Sequence, residues 1–198
     1  MKEDAMIISL SGPSGIGKGF IKEQLLQAFP FIKELAWFTT RPLRPNEKAG
    51  NRISVSISEF DKLVETGKLV LIQDLYGHRY GLKKESLLPS QQFSLTEFHP
   101  DNLSLAMEIN PEIIAIGLVT SDLSFLRRRL SVIRNTEITA EIEQRVAVAK
   151  VEIETILRHK PLFATVIEVA EVSESSIFDQ VLVTLTPHLT RKDKNHVT

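Results

Sequence analysis

The sequence predicts an α/β three-layer sandwich built around a mainly parallel sheet. Three observations carry that prediction. A short apolar run, "MIISL" (residues 6–10), passes directly into a glycine-rich turn and then into a segment of helical period. From residue 92 onward strand-like and helix-like segments alternate, as parallel strands joined by crossover helices do. Residues 37–82 instead crowd several strand signals together, which suits an inserted lobe better than the parallel core. The chain's 198 residues fit one domain with a full core and a projecting lobe, and leave little room for a second independent domain.

Taken in order, Met6 to Leu10 reads as a short buried strand, and "KGFIKEQLLQAF" sets Phe20, Ile21, Leu25 and Phe29 at helical intervals before Pro30 stops the helix. A second strand runs through "LAWFTT". The stretch "RPLRPNEKAGNR", with two prolines, a glycine and dense charge, reads as an exposed loop. "ISVSI" alternates like a half-buried strand, "SEFDKLVETG" reads as a short helix with Ser58 as N-cap and Gly67 as its stop, and "KLVLIQDL" returns as a strand. "YGHRYG" reads as a glycine-bounded turn. "QFSLTEF" and "EIIAIGLVT" are core strands, the second apolar on both faces as a covered parallel strand requires. "SDLSFLRRRLSVI" follows as a helix, and "TAEIEQRVAVAKVEIETILRHK" as a longer one with Ile142, Val146, Ala149, Ile153 and Ile156 or Leu157 on one stripe. "LFATVIEVA" supplies a last strand and "SESSIFDQVLVTLTPHL" a last helix, expected to break near Pro187. The polar tail "RKDKNHVT" is expected to be loose.

Composition narrows the functional classes. The 24 basic and 25 acidic side chains nearly cancel, so no broad nucleic-acid footprint is expected, although a local basic pocket fits the sequence. Cysteine is absent, which removes disulfides, thiolate nucleophiles and cysteine-based metal sites. The apolar run in "MKEDAMIISLSG" is too short for a secretory signal, and no uninterrupted apolar stretch reaches membrane-spanning length, so a cytoplasmic protein without a membrane partner is expected. His78 and His99 show no clustered ligand spacing, and no protein-built metal site is expected.

The ten residues "SGPSGIGKGF" carry the strongest local signal. Gly12, Gly17 and Lys18 satisfy G-x-x-x-x-G-K, and Pro13, Ser14, Gly15 and Ile16 complete the loop between the first strand and the first helix. Such a turn must point successive N–H groups inward around phosphate oxygens, some at backbone angles costly to residues other than glycine. The helix that starts near Lys18 adds its positive end, and Lys18 reaches the terminal phosphates. Gly19 stands where the general pattern has a magnesium-binding serine or threonine. Magnesium can be held largely by phosphate oxygens and water, so the missing hydroxyl does not by itself remove the activity.

"SGPSGIGKGF", "TTRPLRPNEKAG", "SISEF" and "YGHRYG", in that order and spacing, resemble the guanylate kinase family, and the resemblance continues through "RRRLSVIRN" and "EIEQRVAVAKVEIE". The resemblance implies a P-loop NTPase sandwich with an ATP-binding core, an acceptor lobe over residues 37–82 and a helical lid over residues 131–146. It implies phosphoryl transfer from ATP to GMP with magnesium, forming ADP and GDP, by a monomer or homodimer. Lys18 matches the loop lysine, and Gly19 matches a glycine common in nucleotide kinases, which moves the departure to Phe20, where those proteins have threonine. Arg41, Arg44 and Tyr80 match ligands of the acceptor phosphate, Glu47 the acidic residue beside them, and Glu97 an acidic position near the core strand. Two guanidiniums and a phenol suit a dianion on chemical grounds as well. Arg129, Arg134 and Arg145 resemble the arginines that bracket the phosphates when the lid closes, with Arg134 and Arg145 as the catalytic pair, whereas Arg127 and Arg128 read as the wet face of a helix.

The departures are concentrated where the family reads guanine. Trp37 stands at a serine, Leu71 at the glutamate that accepts from the guanine edge, Leu82 at a serine or threonine, Ile53 at a phosphate-touching tyrosine, and Leu95 at one of two carboxylates. The adenine-side "VxVND" appears as "VIEVAEV". Each hydrogen bond to the base that goes unmade forfeits about 1 to 3 kcal/mol. A shifted alignment over residues 67–76 would bring Gln73 or Asp74 to the position of Leu71. Three readings follow: a kinase for GMP, a kinase for another phosphorylated small molecule, and a catalytically weak nucleotide-binding or protein-interaction module. The retained Gly12, Gly17 and Lys18 speak against the third.

Overall fold

The computed structural model describes residues 6–43, 51–88, 92–134, 138–170 and 174–189. Strand β1 (Ile7–Ser11) leads through the glycine loop into helix α1 (Lys18–Ala28), the junction the sequence predicts. Five strands form one sheet in the order β2-β7-β1-β8-β9, where β2 is Lys33–Glu34, β7 Ser94–Glu97, β8 Ile113–Val119 and β9 Thr165–Glu168. β2 pairs in parallel with β7, and β8 with β9. β1 holds the middle of the order because both its faces are apolar or small: Ile8, Ser9, Leu10 and Ser11 are all fully buried. The chain divides into two compact units, residues 1–9 with 29–113 and residues 10–28 with 114–198, so the division falls within β1.

The first unit contains a second sheet, β4-β3-β6-β5, built from β3 (Trp37–Thr39), β4 (Arg52–Ser54), β5 (Leu69–Leu75) and β6 (His78–Lys83). β3 runs parallel to β4 and antiparallel to β6, and β5 is antiparallel to β6. Helix α2 (Ile57–Glu65) lays Phe60 into a cluster with Phe38 and Leu69, flanked by Ile53, Val55, Leu63, Val64 and Ile72. Helix α3 (Leu103–Ile109), too short to show a helical period in the sequence, precedes β8.

Four local expectations are corrected. The cap of α2 is Ser56, not Ser58: Ser56 is extended and its Oγ accepts the Glu59 N–H at 3.2 Å, while Ser58 Oγ meets only Ser56 Oγ at 3.1 Å. The helix therefore starts earlier, and β4 ends at Ser54 instead of continuing through "ISVSI". The turn in "YGHRYG" is confined to Tyr76 and Gly77, both left-handed at φ 53° and 76°, which is the hairpin turn whose twist matches the strands. His78 to Gly81 lie in β6 instead, and Gly81 is a packing glycine whose Cβ would stand 2.8 Å from Ile72 Cδ1. Helix α6 (Glu174–Leu189) passes through Pro187 without breaking. Proline there has no N–H to donate to the carbonyl of Val183, a residue on the exposed face of the helix near its end.

In the second unit, α4 (Leu123–Ile133) packs on α5 (Thr139–Arg158), and α6 packs on α1 and β9. Asp122 caps α4 by accepting the N–H groups of Ser124 and Phe125 at 2.8 and 3.0 Å. The buried stripe of α5 runs Ile142, Val146, Ala149, Ile153 and Ile156, and Leu157 is exposed, which decides the alternative left by the sequence. Among the described residues no helix is long and apolar enough to cross a membrane. The cap assignment is tested by urea denaturation: Ser56→Ala should cost about 1 kcal/mol, and Ser58→Ala markedly less.

Candidate functional site

The phosphate-type loop lies in the second unit, and its shape is set by what cannot be there. Gly12 adopts φ 151° and a Cβ on it would sit 2.6 Å from the Leu118 carbonyl oxygen of β8. Gly15 adopts φ 83° and its Cβ would sit 2.9 Å from Leu130 Cδ2 of α4. The loop is thus pressed against a core strand and a helix, and a side chain at either glycine would force it away. Beside Gly17 the situation reverses, with nothing within 4 Å of a Cβ position, so the loop opens there onto space a ligand can take. The Ile16 N–H donates to Pro13 O at 3.2 Å, closing the turn over Ser14 and Gly15. Ile16 is buried, anchoring the loop from below.

Lys18 opens α1, and its Nζ donates to Gly12 O at 2.6 Å and Pro13 O at 3.2 Å. Both of these acceptors are neutral carbonyl oxygens, which bind an ammonium less strongly than charged phosphate oxygens do. Gly19 is exposed and Phe20 half-buried, so the side chain that displaces the usual hydroxyl leans partly into the protein. Among the described residues no group of three or more histidines and carboxylates is placed to hold a metal ion.

On the same unit, Arg134 caps the C-terminus of α4, its N–H donating to Leu130 O at 2.8 Å, and Arg145 lies half-buried on α5. The Arg129 guanidinium carbon sits 5.6 Å from the Phe125 ring centre. Arg127 and Arg128 are exposed but not idle. Arg127 grips Glu143 of α5 with two parallel bonds, Nε to Oε1 at 2.6 Å and Nη2 to Oε2 at 2.8 Å, and Arg128 Nη2 lies 3.7 Å from Asp122 Oδ2. The hydrogen bonds from Arg127 hold the Glu143 carboxyl below its ordinary range, and Glu143 raises Arg127 in turn. The pair therefore ties the two helices that flank residues 135–137.

In the first unit, the register of β4-β3-β6-β5 sorts side chains onto two faces. Phe38 pairs with Ile53 and Gly81, and this face is the one α2 covers. The opposite face carries Trp37, which pairs with Arg52 and Leu82, and Thr39, which pairs with Ser54 and Tyr80. Gln73 joins the second row opposite Tyr80, beyond an irregularity between Val70 and Gln73. Arg41 follows Thr39 closely: its N–H donates to Thr39 Oγ1 at 3.1 Å, its carbonyl accepts Ser54 Oγ at 2.9 Å, and its Nη1 reaches Pro42 O at 2.7 Å. Tyr80 is half-buried on that face, with Arg52 above its ring, and Glu97 is half-buried at the end of β7. Arg44 and Glu47 lie outside the described residues.

The apolar departures prove to be packed core. Trp37 is 4% exposed, donates Nε1–H to the buried Thr96 Oγ1 at 2.9 Å, and meets Phe98 edge to face with ring centres 6.3 Å apart. Leu71 is 2% exposed, and Leu82 and Leu95 are fully buried. Leu71 also holds a left-handed φ of 54°, unusual for a branched side chain, and Asn102 Nδ2 donates to its carbonyl at 3.2 Å and to Gln73 Oε1 at 3.3 Å. Gln73, offered by a shifted alignment, is thus engaged with Asn102, and Asp74 lies 3.9 Å from Arg79 on the helix-covered face. Ile53 packs into the α2 cluster. Sequence reasoning alone misses Thr96, Asn102 and Arg52. The alternation of "RISVS" carries the one signal within reach, since it puts Arg52 and Ser54 on one face.

No family model matches the chain. Curated relatives do. The guanylate kinase of Clostridioides difficile (strain 630) is 34% identical over 155 residues, covering 76% of this chain and 75% of that protein. The guanylate kinase of Bacillus subtilis (strain 168) is 32% identical over 159 residues, covering 78% of each. Among solved structures, guanylate kinase from Anaplasma phagocytophilum matches with a TM-score of 0.70 at 22% identity over 94% of this chain and 87% of that one. A gluconokinase from Sinorhizobium meliloti 1021 matches at 0.56 and 14% identity, over 99% of this chain and 100% of that one. These likenesses fix the fold as a three-layer α/β sandwich with an inserted strand lobe.

The Arg127–Glu143 clamp makes a pH prediction. Because the folded Glu143 pKa is depressed, its stabilisation is present above the unfolded carboxylate pKa and is lost as pH falls through the lower folded value. Arg127, with a raised pKa, stays charged throughout that range. The difference in melting temperature between the wild type and Glu143→Gln should therefore shrink as pH is lowered from about 7 to about 3, and 1 M salt should reduce it at neutral pH.

Proposed function

This chain belongs to the guanylate kinase family, and on that premise we propose that it transfers the terminal phosphoryl group of ATP to a small acceptor that already bears a phosphate and is not GMP. The observation that carries the transfer chemistry is the loop itself: two glycines packed where no Cβ fits, open space beside Gly17, and the Lys18 ammonium poised over neutral carbonyls. The backbone N–H groups of Gly15, Gly17, Lys18 and Gly19, at the end of the loop and the start of α1, suit the donor phosphates, and Lys18 exchanges Gly12 O and Pro13 O for their oxygens. Arg134 and Arg145 supply charge for the transferring group, and Arg41 with Tyr80 orients the acceptor phosphate, joined by Arg44 and Glu47. Glu97 serves as an acceptor-side contact. Bound magnesium would neutralise phosphate charge, and with no carboxylate cage among the described residues it would arrive held by phosphates and water.

The nature of the acceptor turns on side chains of the first unit. Guanine offers N–H donors along the edge that a carboxylate reads, and the positions that would read it are here Trp37, Leu71 and Leu82, all buried. A base placed against them would lose hydrogen bonds worth about 1 to 3 kcal/mol each. Arg41 and Tyr80, by contrast, both stand next to Thr39, Tyr80 as its partner across the sheet and Arg41 through its N–H bond to Thr39 Oγ1.

A coupled ADP-release assay with ATP, magnesium and a panel of phosphorylated acceptors tests the reading. Acceptor-dependent release should appear with a non-nucleotide phosphate ester and should fall by at least about a thousandfold in Lys18→Ala. Tight ATP binding without turnover on any acceptor would contradict the assignment. With GMP, kcat/KM should lie at least about a hundredfold below that of the Clostridioides difficile relative measured alongside.

A further inference from the structure

The row of the lobe sheet at the level of Trp37 holds one charged group. Arg52 pairs with Trp37, which pairs with Leu82, so all three share the face that carries Thr39, Ser54 and Tyr80 one row further on. The Arg52 guanidinium carbon lies 5.7 Å from the centre of the Tyr80 ring. The ring steadies the cation without neutralising it. Arg52 is half-buried, and among the described residues no carboxylate pairs with it. Arg79 shows what a structural arginine looks like in the same sheet: it is on the opposite face, stacked 4.6 Å from the Phe60 ring centre, bonded to Asp61 and near Asp74. The two differ in the one respect that matters for a ligand, because Arg79 has acidic partners and Arg52 keeps its full charge and its forked donors available.

The chemistry of this level is therefore opposite to that of a guanine reader. A guanine edge presents donors and asks for a carboxylate. Here the neutral wall of Trp37 and Leu82 is buried, and the polar group beside it is a cation, which asks for an acceptor or an anion. Successive rows on one strand face are about 7 Å apart along the backbone, and the Arg52 guanidinium leans from its own row toward the Tyr80 ring, so an anion read by Arg52 would stand closer than that to a phosphate held at the Tyr80 level.

We infer that the acceptor carries a second anionic group, a carboxylate or a second phosphate, which Arg52 binds while Arg41 and Tyr80 hold the first phosphate. The inference rests on the proposed kinase reading for the identity of the first site, and it names the substrate class: a short phosphorylated hydroxy compound with two anionic ends.

Calorimetric titration of the full chain without ATP separates the two ideas. Two matched pairs serve as probes, 3-phosphoglycerate against glycerol 3-phosphate and fructose 1,6-bisphosphate against fructose 6-phosphate. In the wild type the second anionic group should tighten binding by at least about tenfold in one pair or both. A gain confined to the first pair assigns a carboxylate, and one confined to the second assigns a phosphate. Arg52→Gln, checked for an unchanged melting temperature, should reduce the gain below about threefold, and Arg52→Lys should restore part of it. Equal affinities within both pairs, no binding of any probe, or a tenfold gain that survives Arg52→Gln would overturn the inference. ATP titrated separately reports on the loop: its failure to bind would sink the kinase reading while leaving the four acceptor titrations interpretable.

Discussion

The lobe sheet of this molecule depends on the pairing of β3 with β6. That register puts Phe38 opposite Gly81 on one face and Trp37 opposite Leu82, with Thr39 opposite Tyr80, on the other. A shift by one residue would exchange the two sets, sending Phe38 out of the α2 cluster and Tyr80 into it. Gly81 helps to hold the register, since Phe60 and Ile72 occupy the space a side chain there would need. With the register fixed, each side chain has one role available. Phe38, Ile53 and Leu69 build core, Thr39 and Ser54 position Arg41, and Trp37 is drawn inward by its bond to Thr96.

The glycine loop of the second unit rests on a different constraint. The loop between β1 and α1 must lie close against the Leu118 carbonyl and the Leu130 side chain, and only residues without a Cβ allow that approach at Gly12 and Gly15. The result is a backbone shape kept by packing instead of by a ligand. Preorganisation of this kind is what phosphate binding requires, because N–H groups already aimed at a site need no reordering when charge arrives. Phe20, half-buried in the first turn of α1, leaves that frame intact.

Much of this is legible in the sequence, for identifiable reasons. The strand, glycine loop and helix at the start, the apolar strand of "EIIAIGLVT" and the stripe on α5 all follow from period and turn chemistry, and the structure places them within a residue or two of expectation. The cap at Ser56 is not legible, because two serines two residues apart offer the same chemistry and only the path of the chain after Val55 chooses between them. The hairpin at Tyr76 and Gly77 is obscured by Gly81, a packing residue that looks like a second turn glycine. At the candidate site, residue types show apolar side chains at Trp37, Leu71 and Leu82. They cannot show that Trp37 and Leu71 have joined the core, since burial depends on Thr96, Phe98 and Asn102, which come from distant parts of the chain. Arg52 is hidden for the same reason, as its place beside Tyr80 exists only once β4 and β6 flank β3.

On the proposed function no guanine is read beside Trp37, and Trp37 reports on this directly through its indole. It is the only tryptophan in the chain, so its indole N–H gives a single resolved signal in a nitrogen–proton correlation spectrum. Buried and bonded to Thr96, that proton should exchange slowly and keep its position as GMP is added to about 1 mM. A saturating shift of the indole signal at micromolar GMP, or its rapid exchange with solvent, would show that the base site is open and would contradict the account.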